Sequence, residues 1–141
     1  MELLMAEPSL ALQKVIAGRL LGNAEIMETI GPDGILDTIG RPERERCILI
    51  GQSQAVYSGV IATVHATLHV WIKEPGLRLA KEVVGAVVDA VSFDAQIEGQ
   101  YIDADDFTIA DISVNDTRFI PDPDQWSHGV VNVQAIMREV A

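Results

Sequence analysis

From Val60 to Ile72 the chain alternates without a break. Val60, Ala62, Val64, Ala66, Leu68, Val70 and Ile72 are apolar, with Ile61, Thr63, His65, Thr67, His69 and Trp71 between them. A helix cannot use a two-residue period, because its side chains return to one face only every three or four positions. A strand sends successive side chains to opposite faces, so the run predicts a long strand with one face buried and a Thr- and ring-rich face turned away. A second such run closes the chain over 128–140. There Val131, Val133, Ala135 and Met137 point one way, and Val130, Asn132, Gln134, Ile136 and Arg138 the other. Each strand would span roughly 40 Å, more than the ~30 Å core diameter expected at this chain length, so each must project beyond the core or bend.

The remaining segments fit around these two strands. Pro8 is placed to open a helix whose Leu10, Leu12, Val15, Ile16 and Leu20 recur at helical spacing, with Gly22 and Asn23 as stops. Residues 24–30 can add a short helical turn. Gly31-Pro32-Asp33-Gly34 is turn chemistry, and Gly40 to Glu45 is a charged loop around Pro42. Strands are predicted over 35–38, 46–53 and 107–115, with 54–59 as a connection. Pro75 and Gly76 introduce a second helix, with Leu77, Ala80, Val84, Val87, Val88 and Val91 as its apolar stripe and Val83 beside it. Residues 93–100 form a connection with room for one short strand, and Tyr101 to Asp106 is acidic. Pro121-Asp122-Pro123-Asp124 is a loop no strand can cross. The expected order is α-β-β-β-α-β-β: an α+β fold with two helices on one face of a mainly antiparallel sheet. At 141 residues, the expectation is one domain over 1–141.

Ten basic against 21 acidic residues give a net charge of −11. That argues against a protein that coats nucleic acid through a basic stripe, and against docking on an anionic membrane. No apolar run is long enough to span a bilayer. The opening Met1-Glu2-Leu3-Leu4-Met5 has neither a basic stretch nor a small-residue cleavage site, so no signal peptide is expected. Cys47 is the single cysteine, which rules out an intrachain disulfide and suits a packed strand position.

Catalytic and metal motifs fail on spacing. His65 and His69 share a strand face but lie about 13 Å apart, too far to ligate one Zn²⁺. Asp103, Asp105 and Asp106 suggest a calcium loop, but Thr108 and Val114 stand where an EF-hand needs Gly and Glu. The glycine turn at 31–34 lacks the Gly-Lys-Ser/Thr ending of a phosphate loop, and no Gly-x-Ser-x-Gly elbow occurs. No enzyme activity, cofactor or metal is therefore expected. The outward strand faces, with Ile61, Trp71, Val130 and Ile136, are too apolar for idle surface and point to assembly.

A set of motifs resembles a known family. These are the helix Ser9-Leu10-Ala11-Leu12-Gln13-Lys14-Val15-Ile16, the Gly-ended strand Cys47-Ile48-Leu49-Ile50-Gly51, and His69-Val70-Trp71-Ile72 running into Gly76 and Ala80-Lys81-Glu82-Val83-Val84. Arg118, the acidic Pro-rich loop and the strand led by Gly129 complete the set. Together they resemble the tail-completion, or tail-terminator, proteins of long-tailed phages and phage-like gene transfer agents. The resemblance implies a structural virion protein at the tail–neck junction, assembled in the bacterial host cytoplasm. It implies a homo-hexameric ring that caps the tail tube and joins it to the head–neck connector. It further implies a channel through which double-stranded DNA passes without specific binding, and no membrane. On that reading Thr63, His65, Thr67, His69 and Trp71 are candidates for a subunit interface or channel wall. Asp103, Asp105 and Asp106 are candidates for a lumen-facing acidic loop. Two alternatives stay open: a head–tail adaptor or minor tail protein of the same particle, and a small-molecule-binding α+β domain with His65, His69 and Trp71 in a pocket.

Overall fold

The computed structural model describes residues 7–37 and 44–140. The N-terminal pentapeptide, Thr38 of the first predicted strand and most of the charged loop around Pro42 lie outside the described residues. Helix α1 (Pro8–Leu21) begins where the Glu7 carboxylate accepts the Ser9 N–H at 2.9 Å, and it ends at Gly22. Its buried stripe is Ala11, Leu12, Ile16 and Leu20. Leu10, expected on that stripe, is exposed, and Ala11 takes its place. The Asn23 side chain accepts the Ile26 N–H and so caps α2 (Ala24–Thr29). A single 3₁₀ turn at Pro32–Gly34 then leads into β1 (Ile35–Leu36).

The chain continues through β2 (Arg46–Ser58), β3 (Ile61–Lys73), α3 (Arg78–Val91), β4 (Phe93–Asp94), α4 (Ala95–Glu98), β5 (Ile102–Ala104), β6 (Phe107–Pro121) and β7 (Trp126–Glu139). Among the described residues the fold is α+β, with four helices and a mostly antiparallel, curled seven-stranded sheet. The strand order there is β1-β2-β3-β7-β6-β4, with β5 also on β6; β1–β2 pair in parallel and the other described pairs are antiparallel. The two alternating runs are β3 and β7, paired at the centre of the sheet along their whole length, from Ile61 opposite Arg138 to Lys73 opposite Trp126. The inward face of β3 is buried from Ala62 to Ile72, so this strand does not outrun its core. Length is accommodated by curl, and irregularities in β2 (Ile50/Ser53) and β6 (Ile109/Asp111 and Val114/Asp116) add local twist.

The inward residues of β3 and β7 share one apolar cluster with α1 and α3. From α3 it takes Ala80, Val83, Val84, Ala86, Val87 and Val91. Each fully buried valine contributes on the order of 1.5–3 kcal/mol. Gly129 sets the helix-to-sheet distance: a Cβ there would stand 2.7 Å from Val84 Cγ2. The Ser127 hydroxyl, buried at the start of β7, reaches the carbonyls of Glu74 (3.0 Å) and Gly76 and so ties β7 to the β3–α3 connection.

Four expectations need correction. The α-β-β-β-α-β-β order omits α2, β4, α4 and β5. Strand β2 does not stop near Ser53 but pairs with β3 as far as Ser58, and the turn falls at Gly59–Val60. Strand β6 does not stop near Asn115 but pairs with β7 as far as Pro121. The acidic stretch at 101–106 is not a plain loop: Ile102–Ala104 is β5, and Asp105-Asp106 is the two-residue turn into β6, with Asp105 at φ 54°. The distal halves of β2 and β6 bury little, so they carry no apolar alternation to announce them; cross-strand pairing holds them instead.

Candidate functional site

Side chains directly opposite one another in adjacent strands share a face, so the registers assemble the outward surface row by row. Across β3, β7 and β6 the rows are Thr63–Ile136–Asp111, His65–Gln134–Ser113, Thr67–Asn132–Asp116, His69–Val130–Arg118 and Trp71–His128–Ile120. All five predicted β3 residues are on this face, each partly buried. The middle of the face is held by hydrogen bonds. The Thr67 hydroxyl meets Asn132 Oδ1 at 3.0 Å, Asn132 Nδ2 donates to Asp116 Oδ1 at 2.7 Å, and Asn115 Nδ2 donates to Gln134 Oε1 at 3.3 Å.

Toward Trp71 the face changes from polar to aromatic. His128 stacks on the indole of Trp71 with ring centroids 3.8 Å apart and planes 9° from parallel, and Trp126 meets Trp71 edge-on at 6.0 Å. His69 Nδ1 lies 2.8 Å from His128 Nε2, so one imidazole donates its N–H to the other. Gly51 leaves space for this: a Cβ there would stand 3.0 Å from His69 Cδ2 and 3.0 Å from the Thr67 carbonyl. Burial lowers the pKa of His128 to about 4, with His69 and Arg118 adding to the effect and Asp122 opposing it. Burial and Arg118 also lower that of His69. Near neutral pH the pair is uncharged, one ring donating its N–H and the other accepting through its bare nitrogen.

His65 and His69 remain two rows apart on this face. Among the described residues no group of three or more His, Cys, Asp or Glu could hold a metal ion. Cys47 sits opposite Trp71 on β2, and burial pushes its thiol up to about 11 against the pull of Arg44. A protonated, buried thiol packs and does not attack. Asp103, Asp105 and Asp106 lie together at the β5–β6 hairpin, and Asp105 Oδ2 pairs with Lys14 Nζ at 3.0 Å. An open groove of about 910 Å³ lies beside α2, α3 and the outer half of β6, and His65, His69 and Trp71 do not line it.

His128, Trp126 and Asn132 were not singled out from the sequence. His128 and Asn132 lay on the run expected as the last strand and Trp126 two residues before it, but α3, β4, α4, β5 and β6 separate β7 from β3. No turn therefore fixes which residues face each other.

The sequence model of the family described as tail completion protein gp17 matches residues 14–138. The chain belongs to that family. It is thus a tail completion protein, a structural component of a phage-type tail. Its fold is similar to a chain in the solved virion of a native gene transfer agent particle, with a TM-score of 0.75 at 15% identity. The likeness covers 92% of this tail completion protein and 96% of that chain. No curated protein sequence matches it.

Proposed function

We propose that this tail completion protein is the tail terminator of its particle. Copies form a ring, read here as a hexamer, that caps the tail tube and joins it to the head–neck connector at the tail–neck junction, after assembly in the bacterial host cytoplasm. The observation that carries this reading is the family match over 14–138. One folded unit over 1–141 serves as the ring's repeat, and its role is architectural, with no enzymatic step and no cofactor.

The surface chemistry supports passage of double-stranded DNA without capture. The strip of Thr63, His65, Thr67, Asn132 and Gln134 offers hydrogen-bonding groups but no fixed cation for phosphate. A net charge of −11 repels the polyanion, reversing the counterion effect that makes basic grooves adhesive. On this reading the β3 face serves as channel wall or subunit contact, and the hairpin carrying Asp103, Asp105 and Asp106 faces the lumen. Because Asp105 is paired with Lys14, Asp103 and Asp106 supply most of the hairpin's free charge.

Native mass spectrometry with electron microscopy tests the reading on the purified chain. Closed rings of a single stoichiometry are expected. A protein that stays monomeric at all concentrations would overturn the ring.

A further inference from the structure

We infer that the outer edge of β2 adds, antiparallel, to the open outer edge of β6 in a second copy, so that one sheet continues from subunit to subunit. The inference rests on the ring reading above and supplies its contact. Past Leu49, β2 has no partner on its outer side among the described residues; past Ile112, neither does β6. Strands β3 and β7 separate the two edges, which therefore face away from each other on opposite flanks and cannot meet within one chain.

An open edge is a template for another strand, and proteins blunt such edges with Lys, Pro or inward charges. Past its Ile50/Ser53 irregularity, β2 carries none of these devices. From Cys47 to Ile72 the sequence contains no Asp, Glu, Lys or Arg, in a chain with 31 such residues elsewhere, 10 basic plus 21 acidic. The same hairpin leaves Val56, Tyr57 and Val60 each more than half exposed. A bare, uncharged edge in so acidic a protein has the chemistry of a covered surface.

Direction and facing then select β6 as its cover. Since β2, β3, β7 and β6 are successively antiparallel, a neighbour placed in the same orientation lays its β2 antiparallel to β6, continuing the alternation. The inward faces stay continuous across the junction. Tyr57, opposite Ala62, is on the inward side of β2; Thr117 and Phe119, opposite Val131 and Gly129, are on the inward side of β6. Thr117 and Phe119 line the 910 Å³ groove with Val84 and Val88, so a neighbour's Tyr57 enters beside them. Glu25, Glu28, Glu82 and Asp89 outnumber Lys81 in the same lining, which therefore resists another acidic segment and admits a neutral one. Main-chain bonds along the edge and a pocket for one side chain are the usual ingredients of strand addition. Head-to-tail contact of two different edges is heterologous, and it closes into a ring when the rotation permits.

Amide hydrogen exchange on the full chain, compared between monomer and assembled ring, tests the inference. Amides in 52–58 and 113–119 are expected to slow together by at least about tenfold in the ring. The double variant Val56→Glu/Tyr57→Glu alters exposed side chains, so it should keep the parent's circular dichroism yet form no rings. Rings with either edge still exchanging at the monomer rate, or rings formed by the double variant, overturn the edge pairing and leave the ring reading intact. Protection of 52–58 alone, the mark of symmetric β2–β2 pairing or of a different partner, also overturns it. A chain that forms no ring overturns both.

Discussion

The two faces of β3 share one backbone and differ in what completes them. Inward, Ala62, Val64, Ala66, Leu68, Val70 and Ile72 are nearly dry, covered by the protein's own helices and neighbouring strands. Outward, Thr63, His65, Thr67, His69 and Trp71 are only half-buried, held by cross-strand hydrogen bonds and stacked rings. The inward face is thus a folding device, closed within one copy. The outward face is organised without being closed. Local order there comes from directional contacts, each worth about 1 kcal/mol, instead of from burial. Damage to the first should unfold the monomer; damage to the second should leave it folded and alter what it can touch.

The largest effect should follow from placing a charge on the dry side. Val87 is fully buried between α3 and the sheet, and Val87→Asp should cost about 3–5 kcal/mol and lower the melting temperature by more than ten degrees. A variant that melts with the parent would break the helix-to-sheet assignment. Gly129→Ala is a gentler probe of the same face. Its methyl meets Val84 at 2.7 Å, and overpacking should cost about 1–3 kcal/mol. Adding Val84→Ala should recover part of the clash in a double-mutant cycle, read by urea unfolding.

On the outward face, Trp71→Ala should leave a folded monomer that is destabilised by about 1–3 kcal/mol, through loss of the His128 stack and the Trp126 edge contact. Ring assembly should suffer as well if this face is an interface, since tryptophans dominate such contacts. Sedimentation of the folded variant separates the two effects. Acid should weaken the same cluster. An unfolded histidine titrates near 6.5 and folded His128 near 4, so between those values the unfolded chain holds more protons. The contribution of neutral His128 is therefore complete above pH 6.5 and lost as pH falls toward 4. The slope cannot exceed the one-proton limit of about 1.4 kcal/mol per pH unit. His128→Gln should flatten the slope relative to the parent, which cancels the common background from carboxylates. The smallest effect belongs to Cys47→Ala, a loss of about 1 kcal/mol in the unfolding free energy with assembly unchanged.

The dry face was legible in the sequence because burial writes itself as period: two residues in β3 and β7, three to four in α3. The outer halves of β2 and β6 were not, since Gln52 to Ser58 and Asn115 to Arg118 show no apolar alternation to read. The four-residue α4 and the Asp105-Asp106 turn are set by local hydrogen bonds and backbone angles below the reach of periodicity. The candidate face was half legible. Thr63 through Trp71 were named, but the registers that bring His128 to His69 and Asn132 to Thr67 join strands distant in the chain. The separation of His65 and His69 was readable from strand spacing alone, and the register places them two rows apart.

Electron microscopy of the particle's own purified tail tubes, lacking this protein and then incubated with gold-labelled chain, tests the terminator reading most directly. The account predicts one label at one end of each tube and none along the sides. Labels scattered along the tube, or absent from its ends while the protein remains folded, would contradict it.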